Sequence, residues 1–149
     1  MELNISNQTD FPADEALLRN WAKTVCDGES ASEQFEINLI ICGDEEISRM
    51  NKRYRGDDRV TDVLSFGGIS AKTSVTEPFQ PVDCGIVIDI KQLDRQKGQN
   101  SIHKELMDIF IHGLLHALGY DHIRAEDARL MENKEKHYLL MLEGTVSHG

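Results

Sequence analysis

Three of the six histidines fall within one run of eleven residues, His112-Gly-Leu-Leu-His116-Ala-Leu-Gly-Tyr-Asp-His122. His112 and His116 are four apart, so a helix stacks their imidazoles on one face. Gly119 can end that helix in a left-handed cap and let the chain swing His122 back toward the pair. Three convergent neutral imidazoles suit a transition metal, and one zinc ion is the expected occupant. Three protein ligands leave a tetrahedral position open for water, as a catalytic zinc requires.

The same run separates this site from the zinc proteases. Those carry Glu directly after the first histidine as general base, and here Gly113 stands in that place. The nucleophile must then come from the metal, which lowers the pKa of a bound water to about 7. With neutral ligands the ion keeps its full charge, which favours hydroxide or an anionic group such as phosphate in the open position. Each imidazole, set in the most apolar helix of the chain, needs a second acceptor for its other ring nitrogen. Asp121 can fill that role or order the turn. Tyr120 can serve as a phenolic donor or pack in the core. His103, His137 and His148 have no comparable setting and read as surface residues.

A second group of residues bears on an anionic ligand. Residues 49–59 carry Arg49, Lys52, Arg53, Arg55 and Arg59 against only Asp57 and Asp58, on a chain whose net charge is −10. That overall charge excludes broad nonspecific nucleic-acid binding. A basic island on an acidic protein can direct an anion to one place. It can equally be a solvated helix end whose cations complement the helix dipole.

These residues need a scaffold. At 149 residues, with 40% hydrophobic and 28% charged side chains, the chain is expected to be one soluble domain with a substantial core. No run of 18 apolar residues and no signal sequence occurs, so a cytoplasmic protein with no membrane contact is expected. Cys26, Cys42 and Cys84 form no C-x-x-C pair and read as buried, reduced thiols.

Alternation predicts strands over 2–6 and 34–42, with shorter ones at 60–66 and 86–88. Phe11-Pro12 reads as the start of a helix that Gly28 ends. Asp44 reads as the N-cap of a helix closed by Gly56. Further helices are expected over 90–98, 102–118 (capped by Ser101) and 124–142, with a frayed tail over 143–149. Residues 67–81, with two prolines and two glycines, read as a long loop. The 102–118 helix is apolar nearly all round and belongs in the middle of the fold. The expected class is α+β: a small mixed sheet of about four strands, about five helices, and the metal site on the central helix.

The histidine run resembles the signature of the YbeY family, bacterial endoribonucleases of rRNA maturation. A second landmark, Asn51-Lys-Arg-Tyr-Arg55-Gly-Asp-Asp-Arg-Val-Thr-Asp-Val-Leu-Ser-Phe66, is similar to the family's Asn, Tyr-Arg or Phe-Arg, Asp and Pro-Thr-Asp-Val-Leu-Ser-Phe pattern. The resemblance covers about residues 33–142. It implies an α+β fold, zinc on His112, His116 and His122, and Arg55 at the family's functionally important arginine beside the metal. With Arg53 and Arg59 of the basic island, Arg55 is the expected RNA contact. The implied activity is single-strand-specific cleavage in 16S rRNA 3′-end maturation and ribosome quality control. The implied partners are the small ribosomal subunit, ribosomal proteins and a ribosome-associated GTPase.

Three positions depart from the family pattern. Gly67 follows Phe66 and Val60 precedes Thr61 where the family has proline, and Ile86 follows Gly85 where it has aspartate. Two other readings of the metal stay open on the residues alone. One is an assembly factor whose zinc is mainly structural, which a fourth protein ligand would mark. The other is a hydrolase of peptides or small molecules, which Gly113 disfavours.

Overall fold

The computed structural model describes residues 1–68 and 83–146. The expected loop at 67–81 therefore lies outside the described residues beyond Gly68, as do residues 147–149.

Four strands, β1 (Glu2–Asn7), β2 (Glu36–Cys42), β3 (Val63–Gly67) and β4 (Cys84–Asp89), form one sheet in the order β1-β2-β4-β3. The first three in that row are parallel, and β3 runs antiparallel along one edge. Parallel neighbours need a crossover, and α1 (Glu15–Gly28) supplies it between β1 and β2. The sheet carries apolar side chains on both faces. Ile37, Leu39, Ile41, Ile86 and Ile88 face the main core with α1 and the later helices. Val87, Cys42 and Leu64 face the other way, under Ile47 and Met50 of α2 (Asp44–Arg55). β4 is consequently buried along its whole length, which explains its near-continuous apolar sequence.

After α3 (Ile90–Gln96), α4 (Ile102–Ala117) crosses the main core. Ser101 caps it as expected, its Oγ accepting from the Lys104 amide at 3.1 Å. Leu106, Met107, Phe110, Ile111, Leu114 and Leu115 are buried, and the helix touches α1, α3, β3, β4 and α5 (Ala125–Leu142). At Gly113 the helix packs directly on β4, where a Cβ would lie 3.4 Å from Ile86 Cγ2. Among the described residues the fold is thus α+β, with four mixed strands, five α-helices and α4 at the centre.

Three local expectations need correction. The helix after Phe11-Pro12 starts only at Glu15, because Asp14 accepts from the Leu17 amide and takes the capping role. Asp44 is the first helical residue of α2 and not its cap. Its carboxylate is drawn to Arg95, 2.7 and 2.9 Å away, and Gly43 holds the cap position without a side-chain bond. The tail is not frayed over 143–146: Glu143–Thr145 form a 3-10 turn and Val146 is buried. The cause is Trp21, whose buried indole needs an acceptor for its N–H and finds Thr145 Oγ1 at 2.9 Å.

The three cysteines are free and buried. Burial pushes the Cys26 thiol up to about 11 and those of Cys42 and Cys84 to about 12, so all three stay protonated. No helix among the described residues is long and apolar enough to cross a membrane.

Candidate active site

The end of α4 is built as the glycine spacing predicts. Gly119 adopts φ +105°, the Tyr120 amide donates to Leu115 O and the Gly119 amide to His116 O, both at 3.1 Å. This paired-bond glycine cap reverses the chain. It brings His122 beside the pair on α4, with ring centroids 6.0 Å from His112 and 6.5 Å from His116.

Two of the three imidazoles are already oriented. His112 Nδ1 lies 2.6 Å from Glu135 Oε1, and His116 Nδ1 lies 3.0 Å from the Tyr120 carbonyl oxygen. Each acceptor fixes the ring proton on Nδ1 and leaves the Nε2 lone pair for a ligand. Asp121, the acceptor weighed from sequence, instead closes its own turn, accepting from the Ile123 amide at 3.1 Å. Sequence reasoning misses Glu135 because it lies 23 residues from His112 on another helix. Its only sequence signal is a carboxylate one turn after buried Met131 on an amphipathic helix. Burial is not what demands these partners: His112 is half-buried and His116 and His122 are exposed, facing away from the apolar body of α4.

The Glu135 hydrogen bond raises the His112 pKa above its ordinary value despite the opposing effect of burial. The donor set suits zinc, which takes neutral imidazole nitrogens with acceptors behind them. Three imidazoles closed on one zinc would bring ring centroids to roughly 5 Å apart. Among the described residues no three such side chains stand close enough to hold a metal as they are placed.

The three histidines line a cleft of about 510 Å³ together with Asn51, Arg55, Asp57 and Arg59. Arg55, the last residue of α2, donates to Ser65 O at 2.7 Å and lies over the Phe66 ring at 5.7 Å. These two contacts anchor it against β3, where it lines the cleft. Arg59 is engaged by Asp57, with Nε 2.8 and 3.0 Å from the two carboxylate oxygens. Buried Asn51 holds this segment in place: its Nδ2 donates to Arg59 O at 3.1 Å and its carbonyl accepts from the Asp57 amide. Gly56 makes the sharp exit from α2 possible at φ +71°. Arg53, the third expected contact, is not on the cleft wall, and its guanidinium lies over Tyr54 at 5.2 Å.

At the departure from the family pattern, Ile86 is wholly buried against Gly113 and puts an apolar side chain beneath the histidine helix. The carboxylate on β4 is Asp89, which caps α3 through the Lys91 amide and takes no part in the cleft.

The family model described as Endoribonuclease YbeY matches residues 4–143. The chain is 34% identical over 145 residues to the Endoribonuclease YbeY of Pelotomaculum thermopropionicum, covering 93% of this chain and 95% of that one. It is 36% identical over 147 residues to that of Petrotoga mobilis, covering 95% and 96%. The solution structure of TM1509 from Thermotoga maritima superposes with a TM-score of 0.65 at 26% identity, covering 96% of this chain and 90% of that one. Sequence and fold thus agree over nearly the full length, and the chain belongs to the YbeY family of endoribonucleases, enzymes that hydrolyse RNA.

Proposed function

We propose that this chain is a zinc-dependent, single-strand-specific endoribonuclease of rRNA maturation, acting on the 3′ end of 16S rRNA and in ribosome quality control. One observation carries the reading: three histidines, two with Nδ1 already bonded, line one cleft with Arg55 and Arg59. His112, His116 and His122 would hold one zinc ion. When bound, zinc supplies a Lewis acid for a phosphoryl oxygen and a water of lowered pKa.

The remaining work falls to the chain's own residues. Glu135 and the Tyr120 carbonyl keep the His112 and His116 Nε2 atoms free to bind. Arg55 grips a backbone phosphate through charge-assisted hydrogen bonds, a role for its planar fork that lysine would fill less well. Arg59 adds positive charge to the same wall, partly neutralised by Asp57. The acidic remainder of the surface repels the rest of a polyanion, so RNA is captured at the cleft and not elsewhere. The small ribosomal subunit is the partner this substrate implies, with ribosomal proteins and a ribosome-associated GTPase as protein contacts.

The test is cleavage of a 16S rRNA 3′-end precursor by zinc-loaded protein, Arg55→Ala and His116→Ala, each freed of contaminating nuclease. Loss of cleavage in both variants is expected. Cleavage at the parental rate by both contradicts the reading.

A further inference from the structure

Opposite the cleft, behind the loop that carries His122, lies a second polar cluster with no part in the chemistry described so far. At its centre is Glu29, the residue just after α1, with a side chain only 9% exposed. Its Oε1 accepts from Tyr120 Oη at 2.5 Å, and its Oε2 accepts from Tyr138 Oη and from Lys134 Nζ, the latter at 3.2 Å. One carboxylate therefore ties together the end of α1, the α4–α5 loop and two turns of α5. Burial pushes the Glu29 pKa up, but the three donors together outweigh it and hold the carboxyl below its usual range. The site is built for this: a Cβ at Gly28 would collide with the Tyr138 ring, 2.8 Å from Cε1, so only glycine lets Tyr138 reach across.

Tyr120 joins this cluster to the histidines. Its side chain is held by Glu29, and its backbone carbonyl accepts from His116 Nδ1 at 3.0 Å. It also lies two residues before His122. A carboxylate that fixes Tyr120 thus fixes the acceptor that sets the His116 ring and the start of the segment that delivers His122. Nothing else in the cluster reaches the cleft: Glu29, Tyr138 and Lys134 are absent from its walls.

We infer that Glu29 is a positioning residue for the histidine site, acting through Tyr120 to hold His116, and through the same loop His122, in ligating orientation. The inference rests on the reading of His112, His116 and His122 as zinc ligands. It gives α1, an element remote from the cleft, a direct part in metal affinity.

The experiment compares parent, Glu29→Gln and Tyr120→Phe, each checked for folding by circular dichroism at the assay temperature. Zinc affinity is read by chelator competition, and the His116 tautomer by imidazole ¹⁵N shifts of the metal-free protein. Acceptors bonded directly to ligand histidines are worth about 10–100-fold in affinity; one step further out, both variants should lose about 3–10-fold. The His116 shifts should move from the Nδ1–H form toward a mixture, while those of His112, held by Glu135, stay as in the parent. Variants that melt at lower temperature yet, while folded, bind zinc as the parent does and keep the His116 tautomer overturn the inference and leave Glu29 a purely structural residue. A parent that takes up no zinc on its histidines overturns the metal reading itself, whatever the variants do.

Discussion

Glu135 Oε1 stands 2.6 Å from His112 Nδ1, joining the middle of α5 to the histidine-bearing side of α4. The carboxylate is half-buried, and the bond gives His112 one ring orientation before any ligand arrives. Removing the acceptor frees the ring and the tautomer. Glu135→Ala should weaken zinc binding by about 10–100-fold, measured by chelator competition, with the fold retained. Unchanged affinity would separate Glu135 from the site.

Arg55 and Arg59 share a wall but not a state. Arg55 spends one nitrogen on a neutral carbonyl, whereas Arg59 is paired with a carboxylate. Arg55 should therefore contribute more to phosphate binding. A charge-assisted hydrogen bond is worth about 1.5–3 kcal/mol, so Arg55→Ala should lower kcat/KM for single-stranded RNA by about 10–100-fold at unchanged zinc content. The slope of log K against log salt should fall by about 0.7 for each phosphate that is no longer neutralised. Arg59→Ala should change both less, and steady-state kinetics across a salt series give both numbers.

Asp44 and Asp89 make stability depend on pH. Asp44 is held down to about 2, first by its hydrogen bonds to Arg95 and then by Asp89. Asp89 is pushed up to about 6, first by burial and then by Asp44, and its Oδ2 has no donor among the described residues unless a proton is shared with Asp44. For Asp44, whose pKa is depressed on folding, the stabilisation is present above about 4 and is lost as pH falls through 2. For Asp89, whose pKa is raised, the contribution is intact below about 4 and is lost as pH rises through 6. Asp89→Asn mimics the protonated acid and keeps the Oδ1 that caps α3. It should melt with the parent near pH 3.5, below the unfolded carboxyl's range, and roughly 2–4 °C above it at pH 8, the shift that ~1 kcal/mol produces in a domain of this size. Parallel melting curves at both pH values would contradict this.

How much of this was legible in the residues follows from how local each cause is. Ser101 capping α4 and Gly119 ending it depend on neighbours within a turn or two, and both were readable. So was the central place of α4, because a helix with so wide an apolar surface must bury most of it. Asp44 misled because Arg95, 51 residues away, competes for its carboxylate. Thr145 holds the tail only because Trp21, 124 residues earlier, buries an indole N–H beside it. That His112, His116 and His122 line one cleft follows from their spacing and the Gly119 turn. Their acceptors do not: Asp121 was the near carboxylate, but its side chain is used up by its own turn, and Glu135 reaches His112 only through packing of α5 on α4. Charge counting singled out residues 49–59, yet only the exit from α2 decides that Arg55 and Arg59 line the cleft and Arg53 does not.

Everything proposed for the cleft depends on a single zinc ion on His112, His116 and His122 with one coordination position left open. Zinc K-edge X-ray absorption on the loaded protein tests it most directly. The expected spectrum has three imidazole nitrogens at about 2.0–2.1 Å and at least one further oxygen from water or phosphate. That oxygen shell should change when an RNA oligonucleotide is added. A closed set of four protein ligands, or a sulfur shell at about 2.3 Å, would contradict an open site in this cleft.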